Sequence, residues 1–215
     1  WVSSATADPG ESARLLKDAQ RAAQQAVSYG PDLPMAHSTL GWVEFFSAIN
    51  IEAAATPFER AREIGNGDAS ILGSYAMYAA LSGKSARAKD AIERAIRLDP
   101  INPYMHNTQA IVRYYAGEYD LARESAEEAL ILSMAQALHF PLQEGKRPAK
   151  EQIFQFLQDK EMLLLFDNFE FLVEGAELLS ELIQEAPHLS VLITSRQRLQ
   201  LQTETVFSLR GLQVP

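Results

Sequence analysis

Two periodicities divide this chain. Up to about residue 133, small and apolar residues recur at helical spacing, and the landmarks of one stretch fall on those of the next 34 residues on. Ala76 falls over Ala110, Gly83 over Gly117, Ala88 over Ala122, Ile92 over Ala126 and Ala95 over Ala129, and Pro100 closes the first of these copies. An earlier copy starts near Pro34 and carries Leu40, Gly41, Ala54, Phe58 and Ala61, with one extra residue in the turn around Ile49 to Ile51. Ahead of it, Glu11 to Ser28 predicts a lone helix with Ala19, Ala23 and Ala26, closed by Gly30 and Pro31. Small residues at fixed places let paired helices approach closely. Glycine at the turn tolerates a left-handed backbone, and proline beyond the second helix prevents its continuation.

From Met134 the texture changes. A polar link from Gln143 to Pro148 leads to a predicted helix at 149–158, then to the apolar run Met162–Phe166. Such a run predicts a strand buried on both faces, and Asp167, Asn168 and Glu170 follow at its C-terminal edge. Glu174–Glu185 has apolar residues at Ala176, Leu178, Leu179, Leu182 and Ile183, an amphipathic helix ended by Pro187. A second strand, Ser190–Thr194, runs into Ser195 and Arg196, and Val206–Leu209 predicts a third. Strand, helix and strand at this spacing imply a right-handed parallel crossover, with ligands expected at the carboxyl ends of the strands. The expected fold is therefore α plus α/β: an antiparallel helical-hairpin solenoid over 1–133, then a partial three-layer α/β region with a small parallel sheet over 134–215.

The first 133 residues resemble the tetratricopeptide (TPR) family over about 11–133, with one part repeat and about three copies. That resemblance implies a groove for a protein or peptide, lined by the first helix of each repeat. At those positions stand Trp42, Phe45 and Phe46, then Met77 and Leu81, then Ile111, Tyr114 and Tyr115. The other reading of these residues is packing between neighbouring helices, and it weighs more for Phe46 and Tyr115 than for Trp42 and Tyr114. His106 and Gln109 depart from the family's apolar pattern.

The segments Leu163–Leu172, Ala186–Leu199 and Glu204–Pro215 resemble the NB-ARC-like NTPase module of the STAND class. The resemblance implies that Asp167 holds Mg²⁺ through water and that Glu170 positions the attacking water. It also implies that Arg196, after Thr194 and Ser195, reads the terminal phosphate. The residues alone allow a second reading, with Asp167 as a helix cap and Arg196 paired to a local acid.

No phosphate-binding loop accompanies these residues. Gly83-Lys84-Ser85 has Tyr78 where that loop needs glycine, and Gly145-Lys146 lacks the spacing. Without such a cradle, no cofactor is expected unless a P-loop for Mg-ATP or Mg-ADP comes from outside the chain.

Composition narrows the choice further. A net charge of −9 spread over both regions leaves no basic patch, so nucleic acid is not an expected partner. No cysteine is present, which excludes disulfides and thiolate chemistry and fits a cytoplasmic setting. The longest apolar runs fall short of the roughly 20 residues that cross a bilayer. His37, His106, His139 and His188 lie in unrelated segments, and no serine sits in a nucleophile elbow. Beginning at Trp1 and stopping at Pro215, the chain reads as a piece of something longer. The expectation is a non-catalytic interaction scaffold carrying an incomplete NTPase fragment of a signalling or transcriptional regulator. The alternative is a nucleotide-dependent switch that takes its P-loop from elsewhere. An incomplete sheet would also favour pairing of two copies.

Overall fold

The computed structural model describes residues 9–48, 50–143, 145, 147–171 and 175–209. It divides into two compact units, Trp1–Tyr119 and Asp120–Pro215. Ile49, Lys146, Leu172 and the ending 210–215, each part of a motif discussed above, lie outside the described residues.

The first unit contains α1 (Pro9–Tyr29), α2 (Pro34–Ala48), α3 (Ile51–Ile64), α4 (Ala69–Leu81), α5 (Ser85–Leu98) and α6 (Pro103–Tyr115). Helices α2 and α3 pack as one hairpin and α4 and α5 as the next, while α2 packs on α4 and α4 on α6. The predicted spacing reappears in backbone detail. Asp68 caps α4 by accepting from the Ser70 amide at 2.8 Å, and Asn102 caps α6 by accepting from Tyr104 at 3.0 Å, 34 residues later. After α4, Gly83 (φ 72°) donates to Ala80 and Lys84 to Ala79. After α6, Gly117 (φ 78°) donates to Tyr114 and Glu118 to Arg113. This paired capping requires a left-handed residue, which glycine supplies without steric cost.

The amides of Gly30, Gly65 and Asp99 close their helices by donating to Ala26, Ala61 and Ala95. His37 and His106 each bond the carbonyl of the proline six residues earlier, Pro31 and Pro100, both at 2.8 Å. His106 thus tethers its helix start, which is why a polar ring stands where the pattern expected an apolar one. The core is built from the small-residue landmarks: Ala54, Phe58, Ala76, Ala88, Ile92 and Ala95 are all buried. Phe58 stacks on Tyr78 with ring centroids 4.4 Å apart. Asp68 and Asn102 are the helix-entry signals and Gly83 and Gly117 the exits, so the hairpins follow from local sequence.

Helix α7 (Tyr119–Ala137) starts at the division between the units and runs straight through 133–134, where the change of texture had placed the boundary. Its residues Leu130, Ile131, Met134 and Ala135 belong to the second core. The helix ends by the same paired capping as α4: His139 donates to Gln136 and Phe140 to Ala135. Here a histidine, not glycine, adopts the left-handed backbone, at φ 49°.

The second unit continues with α8 (Ala149–Leu157), β1 (Met162–Phe166), a 3-10 turn at Phe169–Phe171, α9 (Ala176–Glu185) and β2 (Leu189–Ile193). The strands pair in parallel, Met162 with Leu189 through Phe166 with Ile193. Two expectations need correction. The first strand is not buried on both faces: burial alternates, with Leu163 60% and Leu165 64% exposed. Only one face is covered among the described residues, so the unit has two layers there, not three. The third strand does not form either. Residues 204–209 are coil, and Phe207 is 80% exposed. A β-prone sequence forms a strand only where a neighbour accepts its backbone, and none does here.

Candidate functional site

The two strand tips meet, with Thr194 set against Asp167 and Arg196 against Glu170. β1 leads into Asp167, and Asn168 then takes a left-handed backbone at φ 56°, which asparagine tolerates better than most residues. That reversal drives Phe169 into the core, where it is 1% exposed and lies edge-on to Phe166 with ring centroids 5.8 Å apart. Three backbone amides tie the turn to the end of β2. Thr194 N donates to Phe166 O at 2.9 Å, Phe169 N to Thr194 O at 3.0 Å, and Asn168 N to Thr194 Oγ1 at 3.1 Å.

The Thr194 hydroxyl in turn donates to Asp167 Oδ1, and Asn168 Nδ2 donates to Asp167 Oδ2 at 3.3 Å. Arg196 Nε donates to Glu170 Oε1 at 2.6 Å, so the expected sensor and the expected water-positioning acid face each other. The Glu170 carboxylate is held below its ordinary range, first by its own backbone N–H and, against the opposing effect of burial, by the Arg196 guanidinium. Ser195 Oγ accepts from the Gln197 amide at 3.3 Å. Among the described residues no three His, Asp or Glu side chains are placed to hold a metal ion.

These residues do not fit a phosphate group as they stand. The amides of Asn168, Phe169 and Thr194 are all engaged within the protein, and the Arg196 guanidinium is paired with Glu170. The segment before β1 is α8 and a short turn, which supplies no ring of inward-pointing amides.

The second candidate lies on α2, α4 and α6. Positions 42, 77 and 111 are equivalent in the three successive helices, as are 46, 81 and 115. Trp42, Met77, Ile111 and Leu81 are partly buried, while Phe46 is 52% and Tyr115 55% exposed. Trp42 stacks on Phe46 with ring centroids 5.6 Å apart, and meets Phe45 edge-on at 5.8 Å and Phe58 at 5.1 Å. Its Nε1 donates to Ser74 Oγ at 2.7 Å, and Ser74 shares a 2.8 Å bond with Ser38.

Trp42 and Phe45 therefore lean on the first core, whereas Phe46, Tyr114 and Tyr115 stand out from it. Phe46 and Tyr115, for which packing weighed more, are exposed, and Trp42, for which it weighed less, is the one that packs, while Tyr114 is exposed. Sequence reasoning missed Tyr119, whose ring lies 5.4 Å from that of Tyr114, and missed Ser74 as the partner of the Trp42 indole. A serine inside an otherwise apolar helix was the available signal. Charge is scarce on these helices: α4 has none, α2 has only Glu44 and α6 only Arg113. Glu44 accepts from Gln20 Nε2 of α1 at 2.9 Å.

No protein-family model matches the chain, and no curated protein is detectably similar to it.

Proposed function

We propose that this chain is a protein–protein interaction scaffold of the TPR type, working in a cytoplasmic setting. Its site is the face of α2, α4 and α6, and its second unit is a non-catalytic relative of an NTPase. The observation that carries this reading is the repetition of equivalent positions. Trp42, Met77 and Ile111 form one row, and Phe46, Leu81 and Tyr115 a second, on helices that pack side by side. A repeated apolar row on neighbouring helices suits an extended or helical segment with its own apolar residues at regular spacing. The near absence of charge on these helices favours an uncharged contact strip on the partner. Half-exposed aromatic rings are the side chains that most often dominate such contacts.

The second unit keeps an acid at one strand tip and an arginine beyond the next. Mg-ATP or Mg-ADP binding would need a P-loop from outside this chain, as expected from the resemblance to the STAND class. Engagement of the tip amides argues against that use.

The chain has two tryptophans, Trp1 and Trp42. In a Trp1→Phe background, Trp42 emission reports directly on the proposed site. Peptides selected from a displayed library should change that emission and lose binding in Phe46→Ala and Tyr115→Ala. In parallel, calorimetry with Mg-ATP and Mg-ADP should give no heat. Selected peptides indifferent to both substitutions would remove the face from consideration. Micromolar nucleotide binding lost in Asp167→Ala would transfer the function to the second unit.

A further inference from the structure

The bare face of the β1–β2 pair points to a partner. Parallel strands ordinarily have both faces covered, because their side chains are apolar on each. Here Leu163, Leu165 and Leu192 stand 60%, 64% and 51% exposed on one face, with Leu165 and Leu192 opposite each other in register. The same unit exposes a second apolar group just after β2. Leu199 and Leu201 pack on the core, and Glu204 fixes the turn that follows by accepting from the Leu199 amide at 3.2 Å. Beyond this anchored base the chain shows Val206, Phe207 and Leu209 at 43%, 80% and 93% exposure. At about 150 Å² for a side chain, the low end of the aromatic range because five of the six are Leu or Val, these residues present roughly 600 Å² of apolar surface. That is the low end of the share each partner gives to an interface of standard size.

We propose that the second unit forms an isologous dimer with a second copy of this chain, the two open strand faces packing against each other. Phe207 and Leu209 complete the interface. A second copy fits for two reasons. An apolar patch is its own complement, and a two-fold pairing closes without leaving a free face to recruit more chains. The three strand leucines alone supply less than half of the required surface, so the interface needs the 206–209 segment as well.

The test is the oligomeric state of the full chain, by light scattering and sedimentation over a concentration series. The expected result is a concentration-dependent dimer. Leu165→Glu and Phe207→Ser should each weaken it at least tenfold with unchanged helical circular dichroism, since both side chains are exposed in the free unit. The absence of cysteine allows a second measurement: Leu165→Cys and Leu192→Cys variants should form disulfides between copies under mild oxidation. A monomer at the highest attainable concentration would overturn the proposal. So would irregular aggregation, or a dimer that ignores both substitutions and gives no disulfide.

Discussion

Substituting Gly41 tests whether close helix approach fixes the first hairpin. A methyl group at Gly41 would sit 2.7, 2.8 and 2.9 Å from Cδ2, Cε2 and Cγ of Phe58, closer than real contacts allow. The ring has little freedom to retreat, because it is fully buried and held between the Tyr78 ring at 4.4 Å and the Trp42 ring at 5.1 Å. Overpacking of a filled core costs about 1–3 kcal/mol. Against it stands the helix preference of alanine over glycine, up to ~1 kcal/mol. Gly41→Ala should therefore destabilise the protein by about 1–2 kcal/mol, read by urea unfolding, and should shift Trp42 emission in a Trp1→Phe background. Gly67→Ala is the control, since nothing lies within 4 Å of its added methyl. In a double-mutant cycle, Phe58→Leu should shrink the Gly41→Ala penalty, because the obstructing ring is gone. A Gly41→Ala protein as stable as the wild type would refute the close-approach reasoning.

Three further outcomes follow from single side chains. Glu59 is pushed up by burial, but hydrogen bonds from Tyr75 and Arg62, with the charges of Arg62 and Arg87, outweigh this and hold its carboxyl below the ordinary 4.5. Its folded-state value lies under the unfolded one, so its stabilisation is complete above the unfolded carboxylate range and is lost as pH falls through the folded value. Melting temperatures below pH 4.5 should fall less steeply in Glu59→Gln than in the wild type. His139→Gly should stabilise the protein by about 1 kcal/mol, because histidine at φ 49° carries a left-handed penalty that glycine lacks; an unchanged or lower unfolding midpoint counts against the capping argument. Ser74→Ala leaves the Trp42 indole N–H and the Ser38 hydroxyl without their shared partner, and should cost about 1–3 kcal/mol with a change in Trp42 emission.

What was legible in the sequence depended on how local its cause was. The hairpins were legible because entry caps, turn glycines and small contact residues are each set by a few neighbouring positions, and they recur every 34 residues, as Asp68 with Asn102 and Gly83 with Gly117 show. The two strands and the helix between them were legible for the same reason, and β1 has the bounds expected of it. Burial of both faces of β1 was not, since an apolar run says what a strand can bury and not whether anything covers it. The 206–209 segment failed likewise: its alternation is strand-like, but pairing depends on a partner edge that composition does not reveal. At the site, the acids and the arginine were visible as residue types. Their mutual engagement, Thr194 on Asp167 and Glu170 on Arg196, was a matter of two strand tips meeting across 26 or 27 positions.

Those engagements bear on which unit meets a ligand. A phosphate at the β1–β2 edge would need amides to face it, and those of Asn168, Phe169 and Thr194 would have to leave partners at 2.9–3.1 Å. At about 1 kcal/mol net for each bond, releasing the three costs roughly 3 kcal/mol, about a hundredfold in affinity. The Arg196–Glu170 pair is a smaller obstacle, because Arg196 is 79% exposed and an exposed pair is worth little. The charge is therefore easily redirected, while the backbone is not. An incoming polyanion could recruit Arg196, but it would find no preformed cradle among the described residues, and preformed amides rather than a mobile cation give a phosphate site its geometry. The α2–α4–α6 face instead offers side chains to a partner. Phe46, Tyr114 and Tyr115 already stand half exposed, so their burial would be a net gain on contact. Amides already committed at the strand tips, set against rings already exposed on the helices, are the physical ground for proposing recognition on the helices.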